Sequence, residues 1–346
     1  MKYAVLFLVL LSSCANITPL TGGDKDVEAP KLLSANPSNQ SIQFDSKEIV
    51  LEFDESIALN TSEKATLSPL NGGNVKTKTN RNKLIISMSD SLLPNTTYTI
   101  ELNNVVKDLN EGNVVKQLKY SLSTGQNLDT LYIKGIVFDA ISLKPIRDVM
   151  LALYDFEDTN DSALYNEIPK YVTKSLDDGS FLFSNLPKAQ FALFALEDLD
   201  NNMRFSLPQE RIGFIKHAIT PITKSTDILL FDETHLNDTI TPLVADSSTN
   251  NFGFLRVDSI PNGNIIAQLL KNEVVVYQTR NTKPLVIDSI MAGSYSLRII
   301  FDDNENGQWD TGRLITKTLP EKIVNYKEPI EIRANWDLNL LWQAIE

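Results

Sequence analysis

The sequence predicts an all-β protein built of tandem β-sandwich domains. Three observations lead there. Short runs that are apolar or alternate apolar with polar recur along the chain, bounded by Gly, Asn and Pro turns. No helical period is sustained over a useful length. One stretch repeats, Phe191 falling on Tyr295, Leu193 on Leu297 and Asp198 on Asp302, at a constant offset of 104 residues.

The N-terminal element is a short secretory signal. Lys2 precedes the apolar run YAVLFLVLL, which is too short for the roughly 20 residues a membrane helix needs. The residues Leu11-Ser12-Ser13-Cys14 that follow resemble a bacterial lipobox. That resemblance implies cleavage after residue 13 and acylation of Cys14, the 1 cysteine of the chain, which then anchors the protein. The competing reading is an ordinary cleaved signal with a chance cysteine. Several acyl chains would hold the protein on a membrane without any spanning helix. With that thiol lipidated no disulfide can form, so the exported fold must rely on apolar cores or on ions. Residues 14–28, rich in Gly and Pro, read as a flexible tether. Its first acidic residue is Asp24. Acidic residues close behind the cysteine accompany surface export in Bacteroidetes lipoproteins, and their absence leans toward the periplasmic face of an outer membrane.

Residues 29–124 form the first predicted sandwich. IVLEFDES (49–56), LIISMS (84–89), TYTIEL (97–102) and KYSLST (119–124) are its strands, with PLNGGN and DLNEGN as turns. APKLLSANPSNQSI, IVLEFDESI, LLPNTTYTIEL followed by VVKDLNEGN, and YSLSTG, in that order, resemble the bacterial Ig-like domain of S-layer and envelope proteins.

The second predicted unit, residues 131–235, opens with LYIKGIVFDAISLKPIRDVMLALYD. It continues through a turn near Lys144-Pro145, an acidic turn at Asp177-Asp178-Gly179, and the alternating FLF and FALFAL strands. It looks like a transthyretin-like or carboxypeptidase-regulatory-like β-sandwich, a type of accessory module without catalytic residues of its own. Residues 156–170 interrupt the pattern as an inserted loop with room for a helical turn. The third unit, residues 251–346, repeats the second, with FLFSNLPKAQF lying over LVIDSIMAGSY and a polar boundary at 232–251. Its closing IRANWDLNLLW resembles the end of Bacteroidetes Ig-like lipoproteins with this same three-part order. Trp336 and Trp342 in that segment are expected to pack in a core or interface.

Composition narrows the function. The formal charge is −12, and loss of residues 1–13 removes Lys2 to leave 31 basic against 44 acidic residues, or −13. Phosphate backbones need a basic footprint, so nucleic acid is an improbable partner. Of the 2 histidines, His217 and His235, neither sits in a metal-ligand spacing or beside a nucleophile motif. No GxSxG, HExxH or phosphate-binding Gly loop occurs. The paired acids Asp54-Glu55 and Asp177-Asp178 read as strand ends and turns.

One stretch invites chemistry. FDDNENGQWDTG (301–312) matches part of an EF-hand-like calcium loop: Asp302, Asn304, Asn306 and Asp310 offer side-chain oxygens and Gln308 its carbonyl, with Gly307 at the bend. Arg313 stands at the twelfth position, where that loop needs a bidentate acid, and the flanks look like strands. A solvated polar turn capped by its own Asn and Asp side chains is therefore the competing and favoured reading. In the earlier copy Met203 replaces the Gly and Ser206 replaces Asp310, so that loop is expected to hold no ion.

The sequence thus predicts a non-enzymatic lipoprotein with no certain cofactor, acting as a structural, adhesive or protein-binding module of the envelope. Its partners are a membrane, through the lipid anchor, and an envelope protein. Two alternatives stand beside it: an accessory subunit of an outer-membrane assembly or secretion complex docked on a β-barrel, and a glycan-binding module.

Overall fold

A computed structural model describes residues 25–70, 75–88, 92–157, 163–221, 225–235 and 251–344. Cys14, the signal segment and all but the last residues of the tether lie outside the described residues, as does most of the 232–251 boundary. Among the described residues, strands fall into three sets, and no helix is long and apolar enough to cross a membrane.

The first set comprises β1 (Leu32–Asn36), β2 (Glu48–Phe53), β3 (Ile57–Leu59), β4 (Thr66–Ser68), β5 (Val75–Asn80), β6 (Lys83–Met88), β7 (Thr97–Glu101), β8 (Val106–Asp108) and β9 (Lys119–Ser123). Sheet β1-β2-β6-β5 faces sheet β4-β7-β9, with β3-β8 as a two-stranded flank. Alternation dictates the packing. Ile49, Leu51 and Phe53 share one face of β2, Leu84, Ile86 and Met88 one face of β6, and all join Tyr98, Ile100, Tyr120 and Leu122 in a single core. On the edge strand β5, Lys76 and Lys78 discourage pairing with another chain.

The second set comprises β10 (Leu131–Asp139), β11 (Met150–Asp155), α1 (Ala163–Asn166), β12 (Tyr171–Lys174), β13 (Ser180–Leu186), β14 (Phe191–Leu196), β15 (Ile212–Phe214) and β16 (Ile228–Leu230). The third comprises β17 (Phe252–Asp258), β18 (Ile265–Lys271), β19 (Val274–Arg280), β20 (Leu285–Met291), β21 (Gly293–Phe301), β22 (Ile323–Asn325), β23 (Ile330–Ile332) and β24 (Asp337–Leu341). The two topologies match strand for strand: β13-β10-β16 with β20-β17-β24, and β12-β11-β14-β15 with β19-β18-β21-β22. In both, the last strand returns to pair parallel with the first.

The second and third sets are not beads on a string. Val149, Leu151, Leu153, Leu193 and Ala195 face the inner core of the second unit. The alternate residues Met150, Ala152, Tyr154, Ala192 and Leu196 face outward, where they join Phe231 and, from the third unit, Ile266, Ile300, Trp309, Leu314 and Ile323 in one further core. Strands β11 and β14 are thus buried on both sides, which is why MLALY and FALFAL run apolar without interruption. The first unit docks on the second more sparingly. Leu70 N–H donates to the Lys170 carbonyl at 2.7 Å, and the Asn185 amide donates to Ser121 Oγ at 2.6 Å and Thr99 Oγ1 at 3.1 Å.

The inserted loop does carry a helical turn, α1, whose Ala163 and Leu164 are buried in the shared core. Trp336 does not pack in a core: it is 60% exposed, because it lies in the turn before edge strand β24, while Trp342 packs against Tyr326 with ring centroids 5.6 Å apart.

Candidate functional site

The loop 302–322 joins β21 to β22, so its ends are fixed by strand pairing at Ile300 with Ile323. Asp302 begins it and is only 5% exposed. Its Oδ2 accepts the Gly307 N–H at 2.8 Å, which turns the carboxylate into the loop. Gly307 has φ of 78°, a left-handed conformation that favours glycine, and a Cβ there would have to push aside the Arg280 guanidinium, whose carbon would lie 1.5 Å away. Arg280 Nη2 donates to the Gly307 carbonyl at 2.6 Å. Asn304 Oδ1 accepts the Asn306 N–H at 3.0 Å, and Asn306 Oδ1 accepts the Gln308 N–H at 2.8 Å. Both Asn amides donate to one oxygen, Asp310 Oδ2, at 2.5 and 2.7 Å.

The structure therefore gathers the side chains of Asn304, Asn306 and Asp310 about one point and turns Asp302 toward the same loop. The other oxygen of Asp302, Oδ1, is buried and accepts no hydrogen bond. Such an oxygen is costly to desolvate, more so on a carboxylate. Gln308 enters through its backbone, with its N–H on Asn306.

Glu321 was not foreseen as part of this loop. Its Oε1 accepts the Asp303 N–H at 2.9 Å and its Oε2 the Asp310 N–H at 3.1 Å, tying both ends of the polar stretch together. Burial pushes its carboxyl above the ordinary range, against the pull of those two N–H groups, and the charges of Asp310 and Asp302 push it further. In the second unit Glu210 does the same work. Its oxygens accept from Leu199 N–H at 3.2 Å and Ser206 N–H at 2.9 Å, the counterparts of Asp303 and Asp310. The chain carries a signal for this pairing, Glu-Arg-Ile at 210–212 and Glu-Lys-Ile at 321–323, but a longer third-unit loop breaks the repeat's offset just before it.

The earlier loop differs at the decisive atom. There Asp198 uses both oxygens, accepting Asn202 N–H at 3.1 Å and Met203 N–H at 2.9 Å. The carboxylate oxygens of Asp198, Asp200 and buried Glu210 lie within 4.8 Å of one another. Burial raises the Asp198 carboxyl, offset by those N–H groups and reinforced by Asp200 and Glu210.

The later loop is also the joint between units. Thr311 Oγ1 donates to the Asp232 carbonyl at 2.6 Å and Leu314 N–H to Glu233 Oε1 at 2.5 Å. Trp309 stacks edge-on against His235 at 5.2 Å and donates its indole N–H to the Glu321 carbonyl at 2.9 Å. Gly312 lies so close to Phe231 that a Cβ would meet its ring at 2.5 Å. A cavity of about 230 Å³ beside the loop is lined by Arg280, Arg298, Gln268, Gln278 and His235.

The remaining candidate groups have structural surroundings. His217 is exposed in a turn and His235 packs on Trp309. Asp54 accepts the Lys31 N–H at 2.8 Å beyond a strand end, and Asp178 caps Ser180 N–H at 3.0 Å in its turn.

No curated protein matches this chain. Several solved structures match this chain at low similarity. The N-terminal part of the bacterial S-layer protein SbsC is 12% identical over 59% of this chain and 44% of that one, with a TM-score of 0.22. BcpA, the major pilin subunit of Bacillus cereus, is 11% identical over 59% and 70%, with a TM-score of 0.20. The pilus adhesin RrgA from Streptococcus pneumoniae is 14% identical over 53% and 32%, with a TM-score of 0.18. The chain thus spans less than half the length of SbsC in that structure. The sequence relation that does hold is to a family: residues 26–124 match the bacterial Ig-like domain.

Proposed function

We propose that the protein is a non-enzymatic component of a bacterial outer membrane, anchored through acylated Cys14 on the periplasmic face, that acts as a structural or protein-binding module. What supports this reading most is the core shared by the second and third units. A hinge between domains suits closure over a substrate, whereas a joint filled by Phe231, Trp309, Ile300 and Leu314 suits a stiff body that holds a surface at a set distance from its anchor.

The accessory-subunit version has its own observation. Strand β24 ends the sheet β20-β17-β24, with Leu341 62% exposed on it and Trp336 60% exposed just before it. An unpaired edge beside exposed apolar side chains can add to the strands of a partner such as a β-barrel.

Fractionation of cells expressing Cys14→Ser tests the anchor: the variant should leave the membrane fraction or retain its signal. A processed variant still bound to membrane would refute the lipoprotein reading. Extraction of the wild type in mild detergent then separates the roles. A stoichiometric barrel partner supports the accessory subunit, and retention of glycan instead of protein refutes both protein-binding versions.

A further inference from the structure

We propose that the loop 302–310 binds a calcium ion, and that the bound ion stiffens the joint between the second and third units. The inference is independent of how the protein is anchored. It starts from Asp302 Oδ1, a carboxylate oxygen that is buried and accepts no hydrogen bond, on a side chain 95% removed from solvent by the 5% exposure of its residue. A cation is the partner that a bare anionic oxygen lacks. The same loop supplies further hard oxygens: Asn304 and Asn306 each spend one lone pair of Oδ1 on a backbone N–H and keep a second, and Asp310, whose Oδ2 accepts the amide N–H of both, would exchange those two donors for the ion. The Gln308 carbonyl completes the set. All of these donors are oxygen, none nitrogen or sulfur, and their spacing wraps a loop about a sphere, which suits calcium rather than zinc or copper. Asp302 and Asp310 bring two charges to balance a divalent ion.

Glu321 takes up the absence of an acid at position 313. It is a positioning residue, holding the N–H groups of Asp303 and Asp310 so that the loop keeps its curvature. Arg280, laid against Gly307, opposes the ion electrostatically. The expected affinity is therefore modest, a Kd of roughly 10⁻⁴ to 10⁻³ M, as in extracellular modules.

The coupling to the joint follows from chain continuity. Trp309, Thr311, Gly312 and Leu314, which touch His235, Asp232, Phe231 and Glu233 of the second unit, begin one residue inside the last proposed ligand and run on from it. Fixing Asp310 fixes the start of that contact strip.

The test uses the full-length chain and terbium(III), which accepts the same oxygen ligands and emits when a nearby indole is excited. Trp309, beside Asp310, is that indole. Terbium emission should appear and be displaced by calcium at about 10⁻³ M. Asp302→Asn, which keeps an oxygen for the Gly307 N–H, and Asp310→Asn should each weaken binding by about tenfold or more, and Asp198→Asn should leave it unchanged. Asp310→Asn carries the test if Asp302→Asn does not fold. Absence of emission, or emission indifferent to both loop variants, overturns the site. Emission lost only in Asp198→Asn assigns the ion to the earlier loop and overturns it equally. Hydrogen exchange across 309–318 reads the joint: it should slow when calcium replaces chelator, and unchanged exchange with the ion bound overturns the stiffening.

Discussion

At the scale of single residues, several acids of this chain serve as anchors for backbone N–H groups. Asp108 is 1% exposed and accepts the N–H groups of Glu111, Gly112 and Asn113 at 2.6, 2.9 and 2.7 Å. Desolvation pushes its carboxyl upward, but those N–H groups outweigh it and hold the pKa below the ordinary 3.8. The folded state therefore binds the proton less well than the unfolded chain. The resulting stability is present above 3.8 and is lost as pH falls through the depressed value. Asp108→Asn should lower the melting temperature of the Ig-like unit at neutral pH and flatten its decline in acid, as thermal scans from about pH 6 down to about pH 2 would record. An acid limb as steep in the variant as in the wild type would contradict this. Asp302 belongs to the same class with one oxygen left over, and its position was legible from the DxNxNG spacing alone. Glu321 was not legible, because its contacts cross a loop whose length departs from the repeat.

At the scale of elements, strands were readable where only one face is buried and ambiguous in role where both are. IVLEFDES alternates, and β2 buries Ile49, Leu51 and Phe53 while Glu48 and Glu52 face away. MLALY and FALFAL announce strands but not the second surface they cover, since a continuous apolar run looks the same whichever unit supplies the outer contacts. The short strands β3, β4 and β8, and the charged edge β5, carry too little pattern to be seen. One close approach governs the closing strand of the second unit. A Cβ on Gly135 would lie 1.9 Å from the Thr226 carbonyl oxygen, a backbone atom that cannot step aside. Gly135→Ala should therefore push β16 off β10 and cost about 1–3 kcal/mol, as overpacked sites do. Hydrogen exchange should locate the damage at residues 226–230, and uniform loss of protection throughout the unit would argue against so local a cause.

At the scale of the whole molecule, the unequal joints between the three sets of strands were not visible in the sequence, because contacts between sandwiches are non-local and leave no periodic trace. Among the described residues, the core of the first unit draws on Phe44 to Leu122 with Ala35 packed against it, all within one unit, so residues 25–126 should fold alone with a cooperative melt. The third unit cut out alone would expose Ile266, Ile300, Trp309, Leu314 and Ile323 together, and should self-associate in gel filtration. Phe231 is the keystone on the other side, 2% exposed and edge-on to Phe214 at 5.9 Å. Phe231→Ala should cost about 3–5 kcal/mol and split one calorimetric transition for the second and third units into two. A single shifted transition would mean that the remaining contacts suffice to couple them.

The parallel closing strands give this architecture a mechanical direction. In the second unit Val137–Asp139 runs alongside Ile228–Leu230, and in the third Phe254–Asp258 runs alongside Asp337–Leu341. The chain enters each unit at the start of one strand and leaves at the end of its parallel neighbour, on the opposite side. Tension between those two points slides the strands along each other, so that every hydrogen bond of the ladder resists at once instead of opening in turn like a zipper. In the first unit the parallel pairing is an isolated bridge, from Ser41 to Leu122, placed after β1 and not at the entry of the chain. Pulled end to end, the second and third units meet two shear-loaded ladders in series, and the shorter, in the second unit, is the one to yield first.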